Sequence, residues 1–256
     1  MNDFQNEVEQ RLIDNGNNKD LRDAAANFMR ASTEPKYSYN FSWQGRPIIQ
    51  YPQDMVAMQE LIWKIKPDLI IETGIAHGGS LIFSASMLAL LDMCDAIEGG
   101  KALEPQKSLR KVLGVDIDIR PHNKQAIEAH PMASRIEMIQ GSSIDPGIIK
   151  KVHDFSKNYS RILVCLDSNH THDHVLAELE AYAHLASLNS YCVVFDTIVN
   201  ELPKEMYPDR SWGPTDNPKT AIVEYMKTHS KFVIDEQIDN KLLISVAPNG
   251  YLKRVA

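Results

Sequence analysis

The chain has 256 residues, enough to bury a full core as one domain. Its 43% hydrophobic and 24% charged residues are ordinary for a globular protein, and a net charge of -7 argues against broad attraction to nucleic acid or an acidic membrane. Of three cysteines, Cys165 and Cys192 sit inside apolar runs, and the set has no zinc-finger spacing, which fits a reducing cytoplasm.

The polar, acidic opening MNDFQNEVEQRLIDNGNNKD has no apolar core, so no secretion signal is expected there. Phe4, Val8, Leu12 and Leu21 recur among charges and predict one or two amphipathic helices. An N-terminal helical extension over 1–40 is thus expected ahead of an α/β domain over 41–256. Residues 34–54 are rich in aromatics and hold one glycine and three prolines, so they read as a loop. Asp54 is then expected to cap a helix over 55–65 that Pro67 ends.

From there short apolar runs alternate with helical patterns. The run 68–74 (DLIIETG) leads into a helix over 80–94, and 111–118 (KVLGVDID) into one over 122–130. Residues 135–142 (RIEMIQGS) form a third strand. Residues 161–168 (RILVCLDS) form a fourth, followed by a helix over 172–185, and 190–198 (SYCVVFDTI) a fifth. A helix over 217–229 and a strand over 241–248 (KLLISVAP) complete the series. The longest apolar stretch, near Leu81 to Met93, reads as too short and interrupted to span a bilayer. Strands apolar throughout, alternating with helices, imply a mainly parallel sheet covered on both faces. Ligands in such sheets bind beyond the strands' carboxyl ends. Polar residues gather there: Glu72, Asp116, Ser142, Asp167 and Asp196.

Residues 72–80, ETGIAHGGS, place glycines at a strand-to-helix turn, where a ligand can approach backbone and free amides closely. The spacing is neither a dinucleotide fingerprint nor a P-loop. Glu72, two positions before Gly74, suits a ligand bearing an ammonium; a plain tight turn would also explain the glycines. Asp116, first after its apolar run, can accept hydrogen bonds from ribose hydroxyls, whereas Asp118 also fits a solvated strand end. Ser142 and Ser143 could border an adenine, though turn chemistry explains Gly-Ser-Ser equally well. If the fourth and fifth strands are neighbours, Asp167 and Asp196 converge on one spot, and two carboxylates with no adjacent Lys or Arg suit a hard cation such as Mg²⁺. His170 enters the following helix and can serve as general base for a hydroxyl. Asp167 could instead cap that helix, and His172 and His174 could be surface residues.

In order, ETGIAHGGS, GVDID, LDSNHTHDHV, VVFDT and RSWGPTDNPKTA resemble the cephalosporin hydroxylase family from roughly Phe41 to the C-terminus. The resemblance implies a class I methyltransferase (Rossmann-like) α/β fold, S-adenosylmethionine as cofactor, and kinship with metal-dependent sugar and macrolide O-methyltransferases. A hydroxylase would need a redox cofactor or iron, and LDSNHTHDH reads better as a strand end and turn than as an iron triad. Carried over, the resemblance puts Glu72, Gly74, His77, Gly78 and Ser80 around the cofactor's methionine part. It assigns Asp116 to the ribose and Ser142 or Ser143 to the adenine. Asp167 and Asp196 become metal ligands and His170 the base. Related enzymes carry an acid or amide next to the second aspartate; here the neighbours are Phe195 and Thr197, so a weaker hold on Mg²⁺ is expected.

The resulting expectation is an O-methyltransferase that uses S-adenosylmethionine and Mg²⁺ on a hydroxyl of a sugar or glycosylated natural product. A metal-independent methyltransferase and a catalytically decayed cofactor-binding or assembly protein are the alternatives. The loops 37–51 and 201–218 should shape the acceptor pocket. No nucleic-acid or membrane partner is expected, and the N-terminal apolar stripe predicts a homo-oligomer.

Overall fold

The computed structural model describes residues 3–104 and 107–256; the first two residues of the expected extension, and residues 105 and 106, lie outside it. The first two helices are α1 (Asp3–Asn17) and α2 (Lys19–Thr33). Asn18 caps the second, its side chain accepting from the Leu21 N–H at 3.0 Å. α1 buries no side chain, while α2 seats Ala25 and Met29.

The next segment departs from a plain loop. A turn of 3-10 helix over Tyr37–Asn40 leads into a hairpin of β1 (Ser42–Trp43) and β2 (Arg46–Pro47). α3 (Pro52–Ile65) begins with proline in its first turn and stops where Lys66 turns left-handed. Asp54 therefore lies inside the helix and caps nothing. It is 1% exposed and accepts from the Ser245 hydroxyl (2.6 Å), the Val246 N–H (3.0 Å) and the Tyr251 hydroxyl (3.1 Å). It ties this helix to the C-terminal segment.

The alternating part runs β3 (Leu69–Thr73), α4 (Gly79–Glu98), β4 (Lys111–Asp116), α5 (Pro121–Glu128), β5 (Ile136–Gln140), α6 (Pro146–Ser156), β6 (Ile162–Leu166), α7 (His172–Tyr182) and β7 (Tyr191–Val194). Then come α8 (Pro218–Tyr225), β8 (Phe232–Ile234), α9 (Glu236–Leu242) and β9 (Tyr251–Arg254). α6 is additional to the sequence reading, although Asp145 caps it through the N–H groups of Gly147 and Ile148 and Pro146 opens it. Residues 241–248 are not a strand: Leu242 closes α9, and the chain turns before β9. The apolar run there joins the buried cluster beside α3 rather than the sheet: Val246 and Ala247 belong to the same core as Met58 and Leu61, and the Val246 N–H reaches Asp54.

The seven-stranded sheet has the order β5-β4-β3-β6-β7-β9-β8, parallel from β5 through β7, with β9 antiparallel to both of its neighbours. This is the expected mainly parallel α/β architecture. Strand residues alternate between two cores. Ile70, Val112, Leu163 and Cys165 face α3 and α4, while Leu69, Ile71, Val164 and Leu166 face α6, α7 and α8. α4 is long and apolar enough to cross a membrane by length and composition, more than its apolar run alone suggested, and half of that stretch is buried inside the fold. The chain leaves β3 outward through β4 and β5, then returns to β6 on β3's other side. The switch point thus lies between Thr73 and Leu166, which pair across β3 and β6.

Candidate active site

The turn after β3 is held from every side. Gly74 has φ +90°, and a Cβ there would run into the carbonyl oxygen of Asp167, so only glycine lets β3's exit lie against β6's. Asp116, ending β4, accepts from the N–H groups of Ile75 (2.7 Å) and Ala76 (3.2 Å) with one oxygen and from Asp118 N–H (2.9 Å) with the other. Asn123 donates to the Ala76 carbonyl at 2.9 Å, and Arg46 donates twice to the His77 carbonyl, at 3.0 and 2.6 Å. Gly78 then opens α4 as its N-cap. Behind the turn, Glu72 is 5% exposed and bonded by the Ser80 hydroxyl. Burial pushes its carboxyl up to about 8, the Ser80 bond pulling back and Asp167 pushing further.

Across the switch point, Asp167 follows β6 directly and Asp196 follows β7 in a left-handed conformation, φ 55°. Between their carboxylates lies His170, with Nε2 2.9 Å from Asp196 Oδ2 and 3.7 Å from Asp167 Oδ1. The three side chains are 23–31% exposed, at the floor of a cleft of about 980 Å³ that Gly74, His77 and Ser80 also line. Burial works against a charged imidazole here, but Asp196 and then Asp167 outweigh it and hold the His170 pKa up.

Of the residues read from sequence, Asp167, His170, Asp196, Gly74, His77 and Ser80 share this cleft, and Glu72 lines a small cavity beside it. Asp116 braces the glycine turn from behind. Ser143 faces α7: its hydroxyl lies 3.0 Å from His174 Nε2 and its carbonyl accepts from Tyr182. The Ser142 carbonyl accepts from Asp145 N–H at the start of α6. His174 is thus a partner of Ser143 and of Ser168 (3.2 Å), and His172 lies 2.9 Å from the Thr220 hydroxyl.

Three features escaped the sequence reading. Gln50, 8% exposed, reaches Asp167 Oδ2 with its Nε2 at 3.4 Å. Trp212 sets its ring 5.2 Å from the His170 ring and 4.6 Å from Tyr207, with Arg210 over its other neighbourhood at 5.6 Å. Arg46 anchors the hairpin to the glycine turn. Gln50 and Trp212 come from loops, where no periodicity announces placement, and Arg46 from a two-residue strand too short to show any; the motif RSWGPTDNP was the available signal for Trp212.

The two carboxylates fit a hard divalent cation: ligand atoms of Asp167 and Asp196, with that of His170, lie within 4.8 Å of one another, which leaves the imidazole beside the ion rather than needed to hold it. Neither neighbour of Asp196 adds a donor to the pair. Phe195 has no donor atom, and Thr197 gives its hydroxyl to the Pro248 carbonyl at 2.7 Å.

A family model described as rhamnosyl O-methyltransferase/CmcI matches residues 35–255. A rhamnosyl O-methyltransferase of Mycobacterium tuberculosis is 31% identical over 206 residues, covering 78% of this chain and 73% of that protein. The one of Mycobacterium leprae is 28% identical over 217 residues, covering 83% and 82%. A solved structure of CmcI with Mg and SAM shares the fold, with a TM-score of 0.56 at 17% identity over 85% of this chain and 78% of that one.

Proposed function

Since the chain belongs to the rhamnosyl O-methyltransferase/CmcI family, we propose that it moves a methyl group from S-adenosylmethionine to a sugar hydroxyl of a glycosylated small molecule, assisted by Mg²⁺. The family's older name speaks of hydroxylation; the relatives' names speak of O-methyl transfer to rhamnosyl groups. The observation that carries the reading is the meeting, in one cleft, of the glycine turn after β3 with the Asp167–His170–Asp196 cluster.

S-adenosylmethionine supplies the methyl group, and Mg²⁺ when bound supplies Lewis-acid polarisation of the acceptor hydroxyl. Glu72 and Ser80 would receive the end of the cofactor that carries the ammonium, beside the glycine turn. Asp167 and Asp196 would hold the cation. His170 removes the acceptor's proton at Nε2, which it can do once its two carboxylate partners are engaged elsewhere and cease to stabilise the imidazolium. Trp212 and Tyr207 offer apolar faces on which a sugar ring can lie against the base, with positioning supplying much of the acceleration.

The test is transfer from methyl-labelled S-adenosylmethionine to rhamnosylated acceptors, with and without EDTA. Product that disappears in EDTA and returns with Mg²⁺ is expected. Full activity in EDTA would favour the metal-independent reaction, and no transfer together with intact cofactor binding would favour a decayed site.

A further inference from the structure

Gln50 lies between β2 and α3, far in sequence from the acidic cluster. It is 92% buried by the complement of its 8% exposure, and its Oε1 has no hydrogen-bond partner. An amide oxygen buried without a partner is costly, so this amide calls for a ligand to its oxygen. Gln50 and Asp167 both line the main cleft, and with Phe195 they also line the adjoining cavity of about 30 Å³. In this orientation Gln50 Nε2 donates to Asp167 Oδ2 at 3.4 Å, so the amide end already faces the carboxylate. Oxygens adjacent on an octahedral cation, each about 2.1 Å from it, are about 3 Å apart, so this spacing suits two donors sharing one ion. A half-turn about the last side-chain bond exchanges the amide's oxygen and nitrogen.

We propose that Gln50 is an oxygen ligand of the cation held by Asp167 and Asp196, supplying from the β2–α3 connection the donor that Phe195 and Thr197 cannot. The assignment rests on the cation reading given above. A neutral carbonyl oxygen suits Mg²⁺ or Mn²⁺ and adds no charge to a site already holding two carboxylates.

The test uses Mn²⁺ as the probe on the full chain, with bound ion measured by electron paramagnetic resonance and S-adenosylhomocysteine binding by calorimetry. Gln50→Ala should weaken Mn²⁺ binding about tenfold or more, at least the loss seen when a residue merely supporting a metal ligand is removed. Gln50→Glu should bind Mn²⁺ more tightly than the wild type, and both variants should keep S-adenosylhomocysteine affinity. Gln50→Glu, nearly the same size, keeps the test decisive if Gln50→Ala does not fold. Equal Mn²⁺ affinity in all three proteins overturns the assignment, as does a Gln50→Ala change confined to the acceptor's KM. A wild type that binds no Mn²⁺ at all overturns the cation reading and the assignment together.

Discussion

His170 Nε2 lies 2.9 Å from Asp196 Oδ2, closer than to Asp167, so the imidazole bridges the ends of two neighbouring strands. In the ligand-free protein it should be charged at neutral pH, and saturating Mg²⁺ should lower its titration, read from the ring ¹⁵N shifts. His170→Gln should cut turnover by about 10²–10⁴ while Mn²⁺ and S-adenosylhomocysteine still bind. Wild-type turnover in that variant would reduce the histidine to a structural role.

Asp167→Ala removes a ligand that both strand pairing and the glycine turn fix in place, since its N–H donates to the Thr73 carbonyl at 2.9 Å. Cation binding and transfer should both be lost, with S-adenosylhomocysteine affinity retained. Calorimetry and the transfer assay on one preparation decide this.

Glu72, raised to about 8, is largely neutral at pH 7 in the empty protein. An ammonium arriving beside it favours the carboxylate, so cofactor uptake should release a proton. Binding heats of S-adenosylhomocysteine at that pH, compared in phosphate and Tris buffers, should differ by their ionisation enthalpies. Glu72→Gln should abolish the difference.

Asp54 is raised from 3.8 to about 6, burial outweighing three hydrogen bonds. The folded state prefers the neutral acid, so this contribution to stability is complete below the unfolded pKa and is lost as pH rises through about 6. The span corresponds to about 3 kcal/mol. Asp54→Asn should therefore gain on the wild type in thermal melts between acid and neutral pH. A constant gap across that range would contradict the assignment.

Trp212→Ala should raise the acceptor's KM about tenfold, the loss of one aromatic platform, with Trp212→Phe recovering much of it. S-adenosylhomocysteine affinity should not follow. If it does, the ring belongs to the cofactor's side of the cleft.

The parallel strands and their terminal acids were legible because a strand buried on both faces is an apolar run, and its first polar residue marks where it surfaces. Asp116, Asp167 and Asp196 were found that way, whereas Glu72, marked by the same break in the apolar run, stays buried within β3. Asp54 was misread because the same carboxylate that caps a helix also satisfies distant hydroxyls, and sequence does not say which. Residues 241–248 have strand-like composition but bury themselves beside α3, a tertiary choice. α6 was missed although Asp145-Pro146 is a helix start and Ile148, Val152 and Phe155 recur at helical spacing, because the Gly-Ser-Ser turn before it was read as a ligand-binding or plain turn and not as the approach to a helix. Gln50 was out of reach, because loop geometry alone brings it to Asp167, and the motif that holds Trp212 gave no sign that its ring would meet that of His170.

At Gly79, the first residue of α4, an added Cβ would collide with the carbonyl of Pro47 in the hairpin. The two backbones touch, and Arg46 fastens them again at His77. Anyone transplanting segment 34–51 from a homologue would therefore disturb the glycine turn as well. In this chain the two halves of the cleft are a single exchangeable module, to be grafted together with residues 74–80 or not at all.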